Sequence, residues 1–149
     1  MGLIDDLGPG LVAVDTAIFI YLIEEHPVYL PLILPLFEQA DQGKRTLVTS
    51  ALTLLEVLVV PYRKLNARLA QRYEILLTRS RGVRMEEISR EHLRIAAQWR
   101  ALATVRTPDA LQLACAAAAG CKVFLTNDRK LPELPDLRVV HLNAYRESA

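Results

Sequence analysis

The stretch VAVDTAIFIYLIEE, residues Val12 to Glu25, decides how the chain is read. Leu11 to Val14 is an unbroken apolar run, too short for a helix and patterned like a strand buried on both faces. Asp15 ends the run, and helix-like spacing takes over from there to Glu24. A strand feeding straight into a helix opens a βαβ unit. In such folds the carboxyl ends of the strands, with the helix N-termini beside them, form the crevice where ligands gather. The pattern recurs in KVFLTND, where an apolar run from Lys122 to Thr126 leads through Asn127 into Asp128. Carboxylates at two strand ends point to a bound cation.

Working outward, strands and helices alternate. Pro31 to Gln42 reads as a helix despite Pro35 and ends near Gly43; Thr46 to Thr49 reads as a second buried strand. Ser50 is placed to cap the helix ALTLLEVLVV, which is expected to stop around Pro61. Leu65, Leu69, Tyr73 and Leu76 recur at helical spacing through a basic segment, one apolar stripe on a solvated helix. After Gly82, Val83 and Met85 alternate with Arg84 and Glu86 as in a half-buried strand. Ser89 caps a further helix with Glu91 in its first turn and Ile95, Trp99 and Leu102 on one side. Thr107-Pro108 starts another, proline suiting the first turn, and Gly120 ends it. Lys122 to Thr126 and Leu137 to Val140 complete about five strands, and the tail from His141 reads as a surface turn or short helix. The expectation is one domain over residues 1–149, a three-layer α/β/α architecture with a mostly parallel central sheet.

Composition narrows the function. With 149 residues, 52% hydrophobic and 23% charged, the chain can bury a substantial core. The most apolar segment, Val28 to Phe37, is short and interrupted by Pro31 and Pro35, well below the roughly 20 residues of a membrane span. The start MGLIDDLG lacks a basic region and is acidic, unlike a signal peptide, so a soluble cytoplasmic protein is expected. Cys115 and Cys121 form no CxxC motif and read as reduced packing residues, and no histidine accompanies them to make a zinc site. Neither GxSxG, GxGxxG nor GxxxxGK[ST] is present, which removes the hydrolase triad and the glycine-loop nucleotide binders.

What remains is a set of acids in apolar surroundings. Glu56 sits in ALTLLEVLVV, with Thr53 its one polar neighbour at helical spacing. Asp109 opens TPDALQLACAAAAG, another helix with almost no polar face. Each acid has an ordinary explanation: Glu56 as the exposed residue of a buried helix, Asp109 as a first-turn acid favoured by the helix dipole, Asp15 and Asp128 as caps or turn formers. Together, Asp15, Glu56, Asp109 and Asp128 stand at strand ends or on helices packed beside the sheet. Unpaired carboxylates about 4 Å apart repel by roughly 4 kcal/mol at an effective dielectric of 20. A divalent cation resolves that repulsion, and oxygen ligands without histidine or cysteine select Mg²⁺ or Mn²⁺. Such ions serve phosphoryl chemistry, activating water and neutralising charge on phosphate. Thr16, Thr126 and Asn127 are placed to position that water or phosphate, although each also suits a cap or turn.

These segments resemble the PIN-domain ribonucleases, in particular the VapC-type toxins of type II toxin–antitoxin pairs. The resemblance rests on VDTAIFIYLI, VTSALTLLEVL, RTPDALQLACAAAAG and VFLTNDRKL, in that order over nearly the whole chain. It implies that Asp15, Glu56, Asp109 and Asp128 are the family's four acids, acting as catalytic residues and ligands of Mg²⁺ or Mn²⁺. It also implies endonucleolytic cleavage of RNA leaving a 5′-phosphate and a 3′-hydroxyl, a homodimer, and an antitoxin whose tail enters the groove. One departure is MGLIDDLGPGL ahead of the first motif, read as an extra surface segment or a misplaced start.

A net charge of +1 is modest for a nucleic-acid binder, so contacts to RNA must be local. Arg63, Lys64, Arg68, Arg72, Arg79, Arg81 and Arg84 are read as a solvated face; Arg106 and Arg129, nearer the acids, are the candidates for RNA phosphates. Other readings fit less well. A haloacid-dehalogenase-type phosphatase needs a second aspartate where Ala17 stands, and a phosphate-receiving regulatory domain needs an acidic pair that Asp5 and Asp6 supply only before the first strand. Both leave Glu56 and Asp109 unexplained. A stand-alone RNA-processing PIN nuclease and a non-catalytic RNA-binding module are the remaining alternatives.

Overall fold

A computed structural model describes residues 2–146. Its elements are α1 (Leu3–Leu7), β1 (Gly10–Val14), α2 (Thr16–Ile23), α3 (Leu30–Asp41), β2 (Arg45–Ser50), α4 (Ala51–Arg63), α5 (Ala67–Arg79), β3 (Val83–Glu86), α6 (Arg90–Leu102), α7 (Thr107–Ala118), β4 (Val123–Thr126), β5 (Arg138–His141) and a 3₁₀ turn, Leu142–Tyr145. The five strands form one sheet in the order β3-β2-β1-β4-β5, and every pairing is parallel. Expected as mostly parallel, the sheet is wholly so. That follows from the connections, since each strand is rejoined through a helix or a long crossover rather than a hairpin.

Alternating strand residues serve two cores. Val12, Val14, Leu47, Leu125 and Val140 bury their side chains with Ile18, Phe19, Ile33, Leu36, Tyr73 and Leu77 of α2, α3 and α5. Ala13, Val48, Phe124 and Val139 face the opposite way, onto Leu113 and Ala116 of α7. Ala96, Ala110 and Ala114 join α6 to α7, small residues letting two helices approach closely. The sheet therefore lies between two helical layers. Cys115 and Cys121 are free and buried, and burial pushes their thiols up to about 12 and about 11, so both pack as inert hydrophobes.

The switch point follows from the strand order. The chain moves outward from β1 through β2 to β3, then crosses to the other side of β1 for β4 and β5. Connections diverge between β1 and β4, so a crevice opens beyond their carboxyl ends. Asp15 follows β1 directly, and Asn127 and Asp128 follow β4.

Several expected details are corrected. α4 runs through Pro61 to Arg63, because a proline removes only its own donor and the next turn still closes, Lys64 N donating to Val60 O at 3.0 Å. The helix stops instead at Leu65, whose φ of 52° is left-handed and whose side chain is 91% exposed, so Leu65 is no part of the α5 stripe. On α6, Leu102 is exposed, and His92 and Ala96 are the buried positions. The segment before the first motif is not a surface addition: α1 places Leu3 and Leu7 in the main core. The tail likewise buries Leu142; residues 147–149 lie outside the described residues. Between α5 and β3, Gly82 (φ 78°) lies against α3 so closely that a Cβ would fall 2.8 Å from Ala40 Cα, and only glycine fits.

Candidate metal centre

Asp15 is the N-cap of α2. Its Oδ1 accepts from Thr16 N at 2.7 Å and its Oδ2 from the Thr126 hydroxyl at 2.7 Å, while Asp15 N donates to Leu125 O at 3.0 Å. The capping role and the site position thus coincide in one residue. Thr126 is fully buried, and its oxygen also accepts from Asp128 N at 3.0 Å, so one hydroxyl bridges the two strand-end acids. Asp128 Oδ1 accepts from Lys130 N at 2.9 Å, a turn that holds the carboxylate at the mouth of the crevice.

Glu56 lies in the second turn of α4 and is only part-buried, so it is not simply the solvent-facing residue of that helix. Its Oε1 accepts from the Thr16 hydroxyl at 2.7 Å and from Gln112 Nε2 at 3.3 Å. Asp109, in the first turn of α7, lines a cleft of about 620 Å³ together with Asp128, Arg106, Arg100, Lys130, Thr104 and Val105.

Burial and neighbouring charge both act on two of these acids. Burial raises the Asp15 carboxyl, its bonds from Thr126 and Thr16 oppose the rise, and the charges of Glu56 and Asp109 add to it. Asp109 is also raised, by burial first and then by Asp128, with Arg106 pulling the other way and Glu56 adding to the rise. Among the described residues the sole ion pair is Arg84 with Glu86, so no acid of the set is paired with a base. A buried carboxylate raised by other carboxylates is the environment a hard cation relieves. Among the described residues no three acidic, histidine or cysteine side chains stand close enough together to hold a metal ion between them. That geometry suits an ion such as Mg²⁺, which keeps several waters and takes one or two protein carboxylates.

Of the other residues singled out in the sequence, Thr16 and Thr126 touch the acids directly. Asn127 does not: its amide donates to Tyr21 OH at 3.1 Å and accepts from Asn143 N at 2.9 Å, tying β4 to α2 and the 3₁₀ turn. Arg106 lines the cleft beside Asp109; Arg129 is exposed outside its lining. Arg100 and Lys130 were missed, since nothing in their local sequence marks them as cleft residues. Gln112 was also missed. Its signal was spacing: a lone amide three residues after Asp109, on the same face of an otherwise apolar helix. Ser50 occupies the N-cap of α4 without a side-chain capping bond, because its hydroxyl donates to Gln112 Oε1 at 2.9 Å.

Solved structures of similar fold include VapBC2 from Rickettsia felis bound to a promoter DNA fragment (18% identity, covering 88% of this chain and 98% of that one, TM-score 0.67). DNA-bound VapBC from Salmonella typhimurium has 20% identity over 88% and 97% of the two chains and a TM-score of 0.69. VapC20 of Mycobacterium tuberculosis, a Sarcin-Ricin loop cleaving toxin, has 19% identity over 80% and 91% and a TM-score of 0.64. Among curated proteins no sequence relative matches. The PIN domain model matches residues 12–137, from β1 through the last of the four acids and beyond it. On the extent of that match, the chain belongs to the PIN domain family.

Proposed function

We propose that residues 1–149 work as one PIN-domain endoribonuclease, hydrolysing phosphodiester bonds of single-stranded or structured RNA with Mg²⁺ or Mn²⁺, and that the protein is the toxin of a VapC-type toxin–antitoxin pair acting in the cytoplasm. The observation that carries this reading is that Asp15, Glu56, Asp109 and Asp128 lie near enough to the β1–β4 switch point for their charges to influence one another, and that among the described residues none of them is in an ion pair with a base. Asp15, Glu56, Asp109 and Asp128 would hold the cation directly or through water. When bound, such an ion neutralises phosphate oxygens and makes water a better nucleophile.

The chain's own groups divide the remaining work. Thr126 and Thr16 N fix both oxygens of Asp15, and Thr16 fixes one oxygen of Glu56, so neither carboxylate has to reorganise as charge develops. Arg106, Arg100 and Lys130 on the cleft wall supply positive charge for the phosphates flanking the cut, with Arg129 just outside. A partner surface is available: Leu55, Val59 and Tyr62 leave an exposed apolar stripe along α4. Exposed apolar side chains at helical spacing support an antitoxin or a second copy as their cover.

Purified protein given single-stranded RNA and Mn²⁺ is expected to cut it internally, to leave 5′-phosphate ends, and to stop when chelator is added. Cleavage that persists at full rate in chelator would refute the metal-dependent reading.

A further inference from the structure

A buried amide sits where three of the metal-centre elements meet. Gln112 is 5% exposed, and its Nε2 faces Thr53 Oγ1 at 2.9 Å, Thr16 Oγ1 at 3.2 Å and Glu56 Oε1 at 3.3 Å. Its Oε1 accepts from Ser50, which is fully buried. The orientation is dictated by chemistry: turning the amide over would set its oxygen against the Glu56 carboxylate and its nitrogen against a hydroxyl able to donate. The hydroxyls around it are ordered too. Thr16 has one proton, and it goes to Glu56 Oε1 at 2.7 Å; Thr53 therefore donates to Thr16 at 3.1 Å, and Thr49 to Thr53 at 2.7 Å.

Two of these donors, the Thr16 hydroxyl and Gln112 Nε2, reach Glu56, both at the same oxygen, and among the described residues the other oxygen accepts no hydrogen bond. Gln112 belongs to α7, which also carries Asp109 one turn earlier; Glu56 and Thr53 belong to α4; Thr16 opens α2 beside Asp15. From this geometry we infer that Gln112 is a positioning residue of the metal centre, clamping Glu56 of α4 to α2 and α7 so that its second carboxylate oxygen is held ready for the cation. The inference rests on the metal-centre reading above. It assigns a task to an amide that in an Ala- and Leu-rich helix would otherwise be an awkward buried polar group.

The test is Mn²⁺ titration of the metal-free full chain, alongside RNA cleavage kinetics and thermal melting, for wild type, Gln112→Met, Ser50→Ala and Glu56→Gln. Loss of a group that orients a ligand typically weakens metal affinity about 10–100-fold. Gln112→Met is expected to do so and to lower kcat with KM for RNA unchanged; because Ser50 and Thr53 lose a buried partner its metal-free melting is expected to fall as well, so affinity is compared at a temperature where both proteins are fully folded. Ser50→Ala, which frees the far end of the amide, is expected to weaken Mn²⁺ in the same direction by less. Wild-type affinity in Gln112→Met beside a loss in Glu56→Gln would overturn the inference and leave the metal centre standing. If Gln112→Met does not fold, wild-type affinity in Ser50→Ala overturns it instead. Undiminished affinity in Glu56→Gln would remove the metal-centre reading, and this inference with it.

Discussion

Thr126→Val removes one oxygen and changes little else. The side chain is fully buried at the end of β4, and valine matches it in volume and suits a strand. Two bonds disappear. The hydroxyl no longer donates to Asp15 Oδ2, a bond to a charged group worth about 1.5–3 kcal/mol, and Asp128 N loses its acceptor, a further penalty of about 1 kcal/mol or more. Valine's strand preference recovers a few tenths, which leaves a net loss of about 2–4 kcal/mol. At roughly 2–4 °C per kcal/mol for a domain of this size, the metal-free melting temperature is expected to fall by about 5–15 °C. The pH dependence should move as well. Of the two bonds that hold the Asp15 carboxyl down, the one from Thr126 is the stronger influence. Without it Asp15 takes up a proton at higher pH, and the acidic limb of the cleavage profile shifts upward. The assay is a pair of measurements, melting in chelator and a pH–rate profile in Mn²⁺. A variant that melts within about 1 °C of wild type and keeps its acidic limb in place would refute the claim that this hydroxyl bridges the two strand-end acids.

Other substitutions separate structure from function. Asp15 and Asp109 are both raised above their ordinary value of 3.8, so the stability they contribute is present below that value and is lost as pH rises through their raised folded-state values. Asp15→Asn is therefore expected to be more stable than wild type in chelator at pH 7, by about 0.5–2 kcal/mol, with the difference vanishing below about pH 4; a lower melting point than wild type at pH 7 contradicts it. Gly82→Ala, which drives a Cβ into the Ala40 backbone from a left-handed conformation, is expected to cost more than about 3 kcal/mol in urea unfolding, and a cost below about 1 kcal/mol contradicts that fit. Leu7→Ala should cost about 2–5 kcal/mol if α1 belongs to the core, and a negligible effect on melting would return α1 to the surface.

Much of this architecture is legible from residues alone, and the exceptions have physical reasons. The strands at Val12, Leu47 and Phe124 announce themselves because both faces are covered, which leaves an uninterrupted apolar run. The α4–α5 corner does not, since Pro61 interrupts a single hydrogen bond while the reversal depends on the left-handed Leu65, a conformation nothing in the leucine side chain advertises. On α6 the apolar spacing outlasts the packing by one position: Ile95 and Trp99 pack against the cluster where Ala96 lets the helix close on α7, but Leu102 is exposed. α1 was hidden by Asp5 and Asp6, which made the segment look solvated although Leu3 and Leu7 have helical spacing. For the site, the acids are conspicuous because charge among apolar residues is costly. Gln112 and Ser50 are not, since neutral polar groups show their purpose only when their partners, from other elements, are in place.

If Asp15 and its neighbouring acids make the chain a metal-dependent ribonuclease, wild type and Asp15→Asn must differ in cleavage of one single-stranded RNA in Mn²⁺. Wild type is expected to cut, and the folded Asp15→Asn protein to lose activity nearly completely; equal cleavage by the two would contradict the account.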